Sequence, residues 1–253
     1  LRVKYLSADP SNTVGGEVWY NSTTGTLKSQ VATTSWSSGA PLTTTREGAA
    51  GFGIQTAAVT CGGETPSVTN LTEEYNGSSW TTSPGNMNTA RFRVAGAGTL
   101  TAGIIFAGHT PPVTTATETY NGTTWTTSPA VLNTARASLA GAGTSTSAVA
   151  FGGGPGYLNA TESFNGTAWT AKNNLNTARN SLMGAGASNT SVLAFGGETS
   201  SPPATATNAT ESWDGTNWTA VNNLNTARYG AYGAGTQTAA IVAGGIVGPG
   251  TMQ

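Results

Sequence analysis

The sequence predicts an all-β fold made of five copies of one four-stranded unit, and three observations lead to this prediction. A tryptophan recurs at steps of 44, 45, 44 and 49 residues, and an arginine recurs at steps of 45, 45, 43 and 49 residues. Four of the copies contain an Asn-Gly or Asp-Gly pair, which is typical of a two-residue hairpin turn. The period and the four strands per copy indicate the blade of a β-propeller. The recurring residues are Trp36, Trp80, Trp125, Trp169 and Trp218, and Arg46, Arg91, Arg136, Arg179 and Arg228.

Each copy contains four short predicted strands, labelled a to d, and the third copy shows them well. Strand a is predicted at residues 136–142, where small residues alternate, and strand b at residues 147–151, before a Gly-Gly pair. Strand c is predicted at residues 160–164, the turn at Asn165-Gly166, and strand d around Trp169. Strand a carries Gly-Ala-Gly in four copies and Gly-Phe-Gly in the first, and such small side chains let inner strands approach closely.

These markers define two regions of the chain. Residues 1–16 match no repeat and are predicted to be a lead-in or attachment segment, and residues 17–253 are predicted to form the propeller. The chain after Arg228 supplies only strands a and b, while residues 27–31 and 35–37 resemble strands c and d. We therefore expect the N-terminal strands to complete the last blade, which removes an exposed sheet edge. The predicted blades are residues 46–82, 91–127, 136–171, 179–220, and 228–245 joined with 27–37.

The order of these features resembles the kelch repeat. In the third copy the resemblance rests on Ala150-Phe151-Gly152-Gly153, on Phe164-Asn165 and on Trp169. It covers roughly residues 27–245 and implies a five-bladed kelch-like β-propeller with four antiparallel strands per blade. It implies little about function, because propellers of this kind include enzymes, lectin-like modules and scaffolds.

Composition excludes several classes of function. Charged residues make up 8% of the chain, with ten basic and eleven acidic side chains and a formal net charge of -1. Nucleic acid recognition needs clustered basic residues, so no nucleic acid partner is expected. No apolar run approaches the roughly 18 residues of a membrane span, so no membrane insertion is expected. One histidine, His109, and one cysteine, Cys61, cannot assemble a histidine and cysteine metal site, and we expect no metal, cofactor or catalytic residue.

The recurring arginines and tryptophans are interpreted as parts of the architecture. A glutamate matches the arginine in four copies, and a buried arginine needs such a carboxylate. We expect structural Arg–Glu pairs that lock blade to blade, with ligand contact as the alternative. The tryptophans are expected in the core between blades, with a stacking face for sugars as the alternative. The matching glutamates are Glu73, Glu118, Glu162 and Glu211.

The leading segment GEVWYNSTTGTLK, followed by repeats with the words NTAR and GAGTQTAA, is similar to modules of tail-fibre and appendage proteins of tailed bacteriophages. This resemblance implies a non-enzymatic structural or adhesive protein on a virion surface or extracellular appendage, attached to other subunits through its N-terminal segment. The loops between strands b and c diverge most among the copies, so we expect recognition of a partner or a host-surface glycan there. Their ranges are residues 64–70, 107–115, 154–159 and 198–208, and the candidate ligand-binding residues are Glu64, His109, Tyr157 and Glu198.

Two alternatives remain open at this stage. The first is a soluble or secreted lectin with one weak sugar site in each blade. The second is a subunit of an extracellular filament, in which residues 1–16 pair with a neighbouring ring.

Overall fold

The computed structural model describes residues 4–9, 18–29, 36–200 and 203–248. Contacts between Cα atoms divide the chain into two compact units, Leu1–Gly39 and Ala40–Gln253. Every regular element in the described residues is a β-strand, which confirms the predicted all-β class. These residues contain no helix long and apolar enough to cross a membrane.

The first unit contains a three-stranded sheet. Strands β1 and β2 pair in parallel, and β2 and β3 form an antiparallel hairpin. Its turn begins at Asn21, whose side-chain oxygen accepts hydrogen bonds from two following amides at 3.0 and 3.1 Å. The strands are β1 (Lys4–Leu6), β2 (Val18–Asn21) and β3 (Thr26–Ser29).

The described residues of the second unit form five sheets, one for each repeat. Sheets 1 to 4 have four antiparallel strands each, and sheet 5 has two. Sheet 1 comprises β4 (Ala50–Ile54), β5 (Ala57–Cys61), β6 (Thr72–Tyr75) and β7 (Trp80–Thr82), and sheet 2 comprises β8 (Ala95–Thr99), β9 (Ala102–Phe106), β10 (Thr117–Tyr120) and β11 (Trp125–Thr127). Sheet 3 comprises β12 (Ala140–Thr144), β13 (Ser147–Phe151), β14 (Thr161–Phe164) and β15 (Trp169–Lys172). Sheet 4 comprises β16 (Met183–Ser188), β17 (Ser191–Phe195), β18 (Thr210–Trp213) and β19 (Trp218–Val221), and sheet 5 comprises β20 (Tyr232–Gly235) and β21 (Ala240–Ala243).

The sheets follow one another through their first strands, which are the inner strands. Each inner strand contacts the next, from β4 through β8, β12 and β16 to β20. No comparable contact joins β20 to β4 in the described residues. The repeated four-stranded sheets fit a β-propeller.

The predicted completion of the last blade by residues 27–31 is wrong for the described part of that segment. Thr26–Ser29 pairs with Val18–Asn21 in the first unit, because a short local hairpin satisfies its backbone groups. Among the described residues, β21 pairs only with β20. Residues 30–35 lie outside the described residues. Arg228 donates to the carbonyl of Gly244 at 2.7 Å and meets no carboxylate in the described part of the chain.

Strand a begins later than the sequence predicts. In the third repeat, strand b matches the prediction at Ser147–Phe151, but β12 starts at Ala140 and not at residue 136. The residues between form a crossover in which Ser138 has a φ of 53°, a value outside the strand region. The guanidinium of Arg136 is buried beneath this crossover.

The recurring arginine and glutamate pair within one sheet. Arg91 donates from Nη2 to Glu118 Oε1 at 2.6 Å and from Nη1 to the carbonyls of Ala107 and Ala116 at 3.1 and 2.8 Å. The second carboxylate oxygen of Glu118 accepts from the amide of Asn88 at 2.7 Å, in the crossover that enters the same sheet. The prediction that the pairs lock blade to blade is therefore corrected: each pair fixes a crossover to its own sheet.

The same arrangement recurs in the first, third and fourth repeats. The distances are 3.1 Å between Arg136 and Glu162 and 2.8 Å between Arg179 and Glu211, and Arg46 pairs with Glu73. Burial lowers the pKa of the arginines in repeats 2 to 4, an effect that the glutamates oppose. Burial alone would raise the pKa of Glu73, but the amide of Thr43 and the guanidinium of Arg46 stabilise its charged form and lower the pKa overall.

Packing between sheets depends on phenylalanine and glycine. A Cβ atom added to Gly141 on strand β12 would lie 2.5 Å from Cζ of Phe106 in the preceding sheet, and one added to Gly184 would lie 2.8 Å from Cζ of Phe151. The inner glycines therefore make room for these aromatic rings. Tryptophans also contact these rings, and the ring centroids of Phe106 and Trp169 are 4.7 Å apart.

We expect Arg136→Met to destabilise the protein by about 3–5 kcal/mol, because it leaves the carboxylate of Glu162 buried without its cation. Urea unfolding measures this change. The double variant Arg136→Met with Glu162→Met should lose less free energy of unfolding than Arg136→Met alone, because no buried charge remains unpaired. Arg93→Met is the control, because Arg93 is exposed, and equal losses for Arg93→Met and Arg136→Met would contradict the assignment.

We expect Gly141→Ala to lower the free energy of unfolding by about 1–3 kcal/mol, because its methyl group would overlap the ring of Phe106. Gly51 holds the same position in the first repeat, and a methyl group there meets its nearest neighbour only at 3.8 Å. Thermal unfolding should show little effect of Gly51→Ala. Similar losses for the two variants would argue against the proposed packing.

Candidate functional site

Five residues at the inner ends of the sheets form a chain of backbone hydrogen bonds, and each lies two positions after a recurring arginine. The amide of each donates to the carbonyl of the one before, at 2.6, 3.0, 2.8 and 2.8 Å. All five have positive φ values between 49° and 62°. We call them the hub residues: Gly48, Arg93, Ser138, Ser181 and Gly230. They show that the five repeats succeed one another about a common centre.

The loops between strands b and c lie at the hub end of the sheets. In each repeat, a Gly-Gly pair, or Ala107-Gly108 in the second repeat, follows strand b, and the next residue bridges to the residue before the hub residue. The Asn-Gly turns lie at the opposite end, where Gly122 approaches Thr101 of the neighbouring turn. In these turns only the glycine has positive φ, while the asparagine or aspartate side chain accepts hydrogen bonds from following amides. The bridged pairs are Glu47 with Glu64, Phe92 with His109, Ala137 with Gly154, Asn180 with Glu198, and Tyr229 with Ile246.

A cavity of about 530 Å³ opens at the hub end, and residues from all five repeats line it. This volume is in the range of small-molecule sites. Its polar lining includes acidic, basic, amide and phenol groups, and the guanidinium of Arg93 lies 5.2 Å from the ring centroid of Phe92. The principal polar residues are Glu47, Arg93, Asn180, Glu198 and Tyr229.

The structure brings two of the four candidate ligand-binding residues together. The hydroxyl of Tyr157 donates to Oε1 of Glu198 at 3.2 Å, and Glu198 lines the cavity. Glu64 and His109 occupy the position equivalent to Glu198 in their repeats but do not line the cavity. The ring of His109 meets that of Phe92 edge-on at 5.1 Å, and its Nδ1 is buried with no partner among the described residues.

The sequence analysis missed Arg93, Asn180 and Tyr229. The Nδ2 of Asn180 donates to the carbonyl of Gly156 at 3.1 Å, while its Oδ1 is buried without a partner in the described residues. Asn180 therefore lines the cavity, but its side-chain oxygen is enclosed by the protein. A signal existed in the sequence, because the position directly after each recurring arginine differs among all five repeats, whereas the arginine itself does not.

The recurring tryptophans do not form a common sugar-binding surface. Trp125, Trp169 and Trp218 are 6–7% exposed and belong to the core, as the core interpretation predicts. Trp80 is half-buried. Trp36 differs from all of them, because 79% of its surface is exposed.

Two potential nucleophiles are protonated inside the core. Burial raises the pKa of the Cys61 thiol to about 12. Burial and a hydrogen bond to Glu74 raise the pKa of Tyr120 to about 12. In the described part of the chain, no three histidine, cysteine, aspartate or glutamate side chains are grouped so that they could hold a metal ion.

Comparisons with known proteins give information on the fold. Neither a family model nor a curated protein matches the chain. Among solved structures it is similar to one described as "Structure of YjhT", with 13% sequence identity and a TM-score of 0.65. The similarity covers 81% of this chain and 75% of that chain. It supports a propeller fold built from repeated four-stranded sheets.

We expect Cys61 to resist a thiol reagent at pH 8 in the native protein, because the thiolate is disfavoured and the side chain has 0% exposure. The same reagent should label one thiol per chain in 8 M urea. Absorbance of the released thiol anion measures both rates. Rapid labelling without denaturant would contradict the packing of strand β5.

Proposed function

We propose that this chain is a non-enzymatic structural and adhesive module, displayed on a virion surface or an extracellular appendage. It recognises a partner or a host-surface glycan through the end of the sheets that carries the loops between strands b and c. The observation that supports this proposal is the cavity at that end, which all five repeats line. The loops around it are the parts of the repeats that differ most.

The chemistry of the cavity suits a polar, uncharged ligand. Arg93 supplies donors, Glu198 supplies acceptors, and Tyr229 supplies an aromatic ring. Sugars present hydroxyl groups that both donate and accept, and apolar faces that stack on aromatic rings. Glu47 and Glu198 both line the cavity, and their negative charges disfavour a strongly anionic ligand.

A non-enzymatic role agrees with the state of the reactive groups. The recurring arginines of the first four repeats already bind carboxylates and carbonyls in buried positions, so their guanidinium groups are not free for a substrate. Cys61 and Tyr120 are protonated in the core, and His109 lies outside the cavity.

In this proposal the five repeats form a closed, five-bladed kelch-like propeller. Residues 1–16 attach it to other virion or appendage subunits. A propeller suits display because it presents loops from short, protected strands. A lectin with one weak sugar site per blade receives less support, because its candidate stacking residues Trp125, Trp169 and Trp218 are buried.

We expect Arg93→Ala and Asn180→Ala each to weaken glycan or host-cell binding at least about tenfold, because each removes a hydrogen-bonding group at the cavity. A glycan array followed by titration of the best binder measures this loss and the number of sites per chain. Thr190→Ala, at the opposite end of sheet 4, is the control and should bind normally. Several equal sites per chain, or binding indifferent to both cavity variants, would contradict the proposal.

A further inference from the structure

The recurring arginine of the fifth repeat is held in the same way as its counterparts. Nη1 of Arg228 donates to the carbonyl of Gly244, the first glycine after strand b, at 2.7 Å. In the fourth repeat, Nη1 of Arg179 donates to the equivalent carbonyl of Gly196 at 3.1 Å. The guanidinium of Arg228 therefore lies at the end of strand b as in the other repeats, although the chain from Arg228 onward contains no glutamate or aspartate.

The crossover that leads to Arg228 also has the arrangement of the other crossovers. The amide of Leu224 donates to the carbonyl of Asn208 at 2.9 Å, and the amide of Leu175 donates to the carbonyl of Asn159 at the same distance. The backbone before Arg228 is thus placed like the backbone before the other recurring arginines. The same five residues, Leu-Asn-Thr-Ala-Arg, stand at residues 132–136, 175–179 and 224–228.

In the fourth repeat, the arginine and the crossover together bind one carboxylate. Nη2 of Arg179 donates to Oε1 of Glu211 at 2.8 Å. The amide and Nδ2 of Asn176 donate to Oε2 of Glu211 at 2.7 and 2.8 Å. The third repeat binds its glutamate through the same groups. A guanidinium thus holds one carboxylate oxygen, and an asparagine three residues earlier holds the other.

The fifth repeat has the same donors, and the described residues supply no carboxylate for them. Asn225 stands three residues before Arg228, and neither its amide nor its Nδ2 is hydrogen-bonded to another described group. None of the described acidic residues forms an ion pair with Arg228. Arg228 is half-buried and Asn225 is exposed, so a molecule from solution can reach both.

We propose that Arg228 and Asn225 form a binding site for the carboxylate group of another molecule. One carboxylate oxygen accepts from Nη2 of Arg228, and the other accepts from the amide and Nδ2 of Asn225. Hydrogen bonds between a guanidinium and a carboxylate are about twice as strong as neutral ones, and the crossover fixes these donors in advance. The site is separate from the cavity at the hub end, whose lining contains neither residue. The inference therefore does not depend on the proposed function.

Titration with sodium acetate tests the site, because acetate carries a carboxylate and little else. In protein labelled with 15N, NMR should show the guanidinium of Arg228 and the amide of Asn225 shifting with one common dissociation constant. The arginines that glutamates already hold are the internal control, and their signals should stay in place. Sodium chloride at the same ionic strength should also have no effect. An unchanged Asn225 amide, or equal shifts with chloride, would overturn the proposal.

Three variants test the roles of the two residues. Arg228→Gln should weaken acetate binding at least about tenfold, because it removes the charged donor. Asn225→Ala should weaken binding less, because the backbone amide remains. Lys172→Gln makes the same change of charge at an exposed residue of sheet 3 and should bind acetate normally. Thermal unfolding confirms that each variant is folded. Acetate binding that is the same in Asn225→Ala, Arg228→Gln and the native protein would contradict the assignment.

Two further ligands identify the source of the carboxylate. One is glucuronate, a free sugar acid. The other is a capped Thr-Glu-Ser-Trp peptide, which copies strand c of the fourth repeat at residues 210–213. A protein strand as the source predicts that this peptide binds at least about tenfold more tightly than acetate and that a Thr-Gln-Ser-Trp peptide does not bind. A free acid as the source predicts that glucuronate is the tighter ligand. Failure of acetate, glucuronate and the peptide to shift the Arg228 signal overturns the carboxylate site itself.

Discussion

The buried pairing of an arginine with a glutamate fixes the point at which the chain crosses from the outer strand of one sheet to the inner strand of the next. A guanidinium group has five N–H donors and keeps its charge in a protein, so its burial requires acceptors. In the second repeat, Glu118 and two carbonyls surround Arg91, and the free oxygen of Glu118 holds the crossover amide of Asn88. With the crossover fixed, the inner strand begins four residues after the arginine in each repeat, and in repeats 2 to 5 its glycine faces a phenylalanine of the sheet before.

The crossover that the Arg–Glu pair fixes also separates the recurring residues, which build the fold, from the residues that differ among the repeats. Two residues beyond each arginine, the backbones of Arg93, Ser138 and Ser181 bond to one another and hold the inner ends of the sheets together. Most of the side chains at these and the preceding positions line the cavity, and the residue types at the preceding positions differ in all five repeats. The divergent loops between strands b and c therefore lie at the hub end of the sheets, together with the divergent residues that follow the arginines. The repeated Asn-Gly turns lie at the opposite end of the sheets.

Repetition explains which parts of the structure the sequence could predict. Some features depend on residues that recur, so the sequence displays each of them several times. These features are the period, strand b, the hairpin turns and the pairing of Arg136 with Glu162. The hub was not visible, because serine and arginine do not favour the positive φ of Ser138 and Arg93, and tertiary hydrogen bonds impose it. The role of Thr26–Ser29 was mistaken because a local hairpin competes with a distant sheet edge. Most of the residues that line the cavity follow a recurring arginine, but their residue types differ among the repeats, so the recurring residues alone did not reveal the cavity.

Side-chain hydrogen exchange of the arginines tests the central claim most directly. In protein labelled with 15N-arginine, NMR should show slow exchange for the guanidinium groups of Arg46, Arg91, Arg136 and Arg179, whose side chains are 0–1% exposed. Arg93, which is exposed, should exchange fast. Equal, fast exchange for all five would contradict the account, because the crossovers would then have no buried ion pair to hold them.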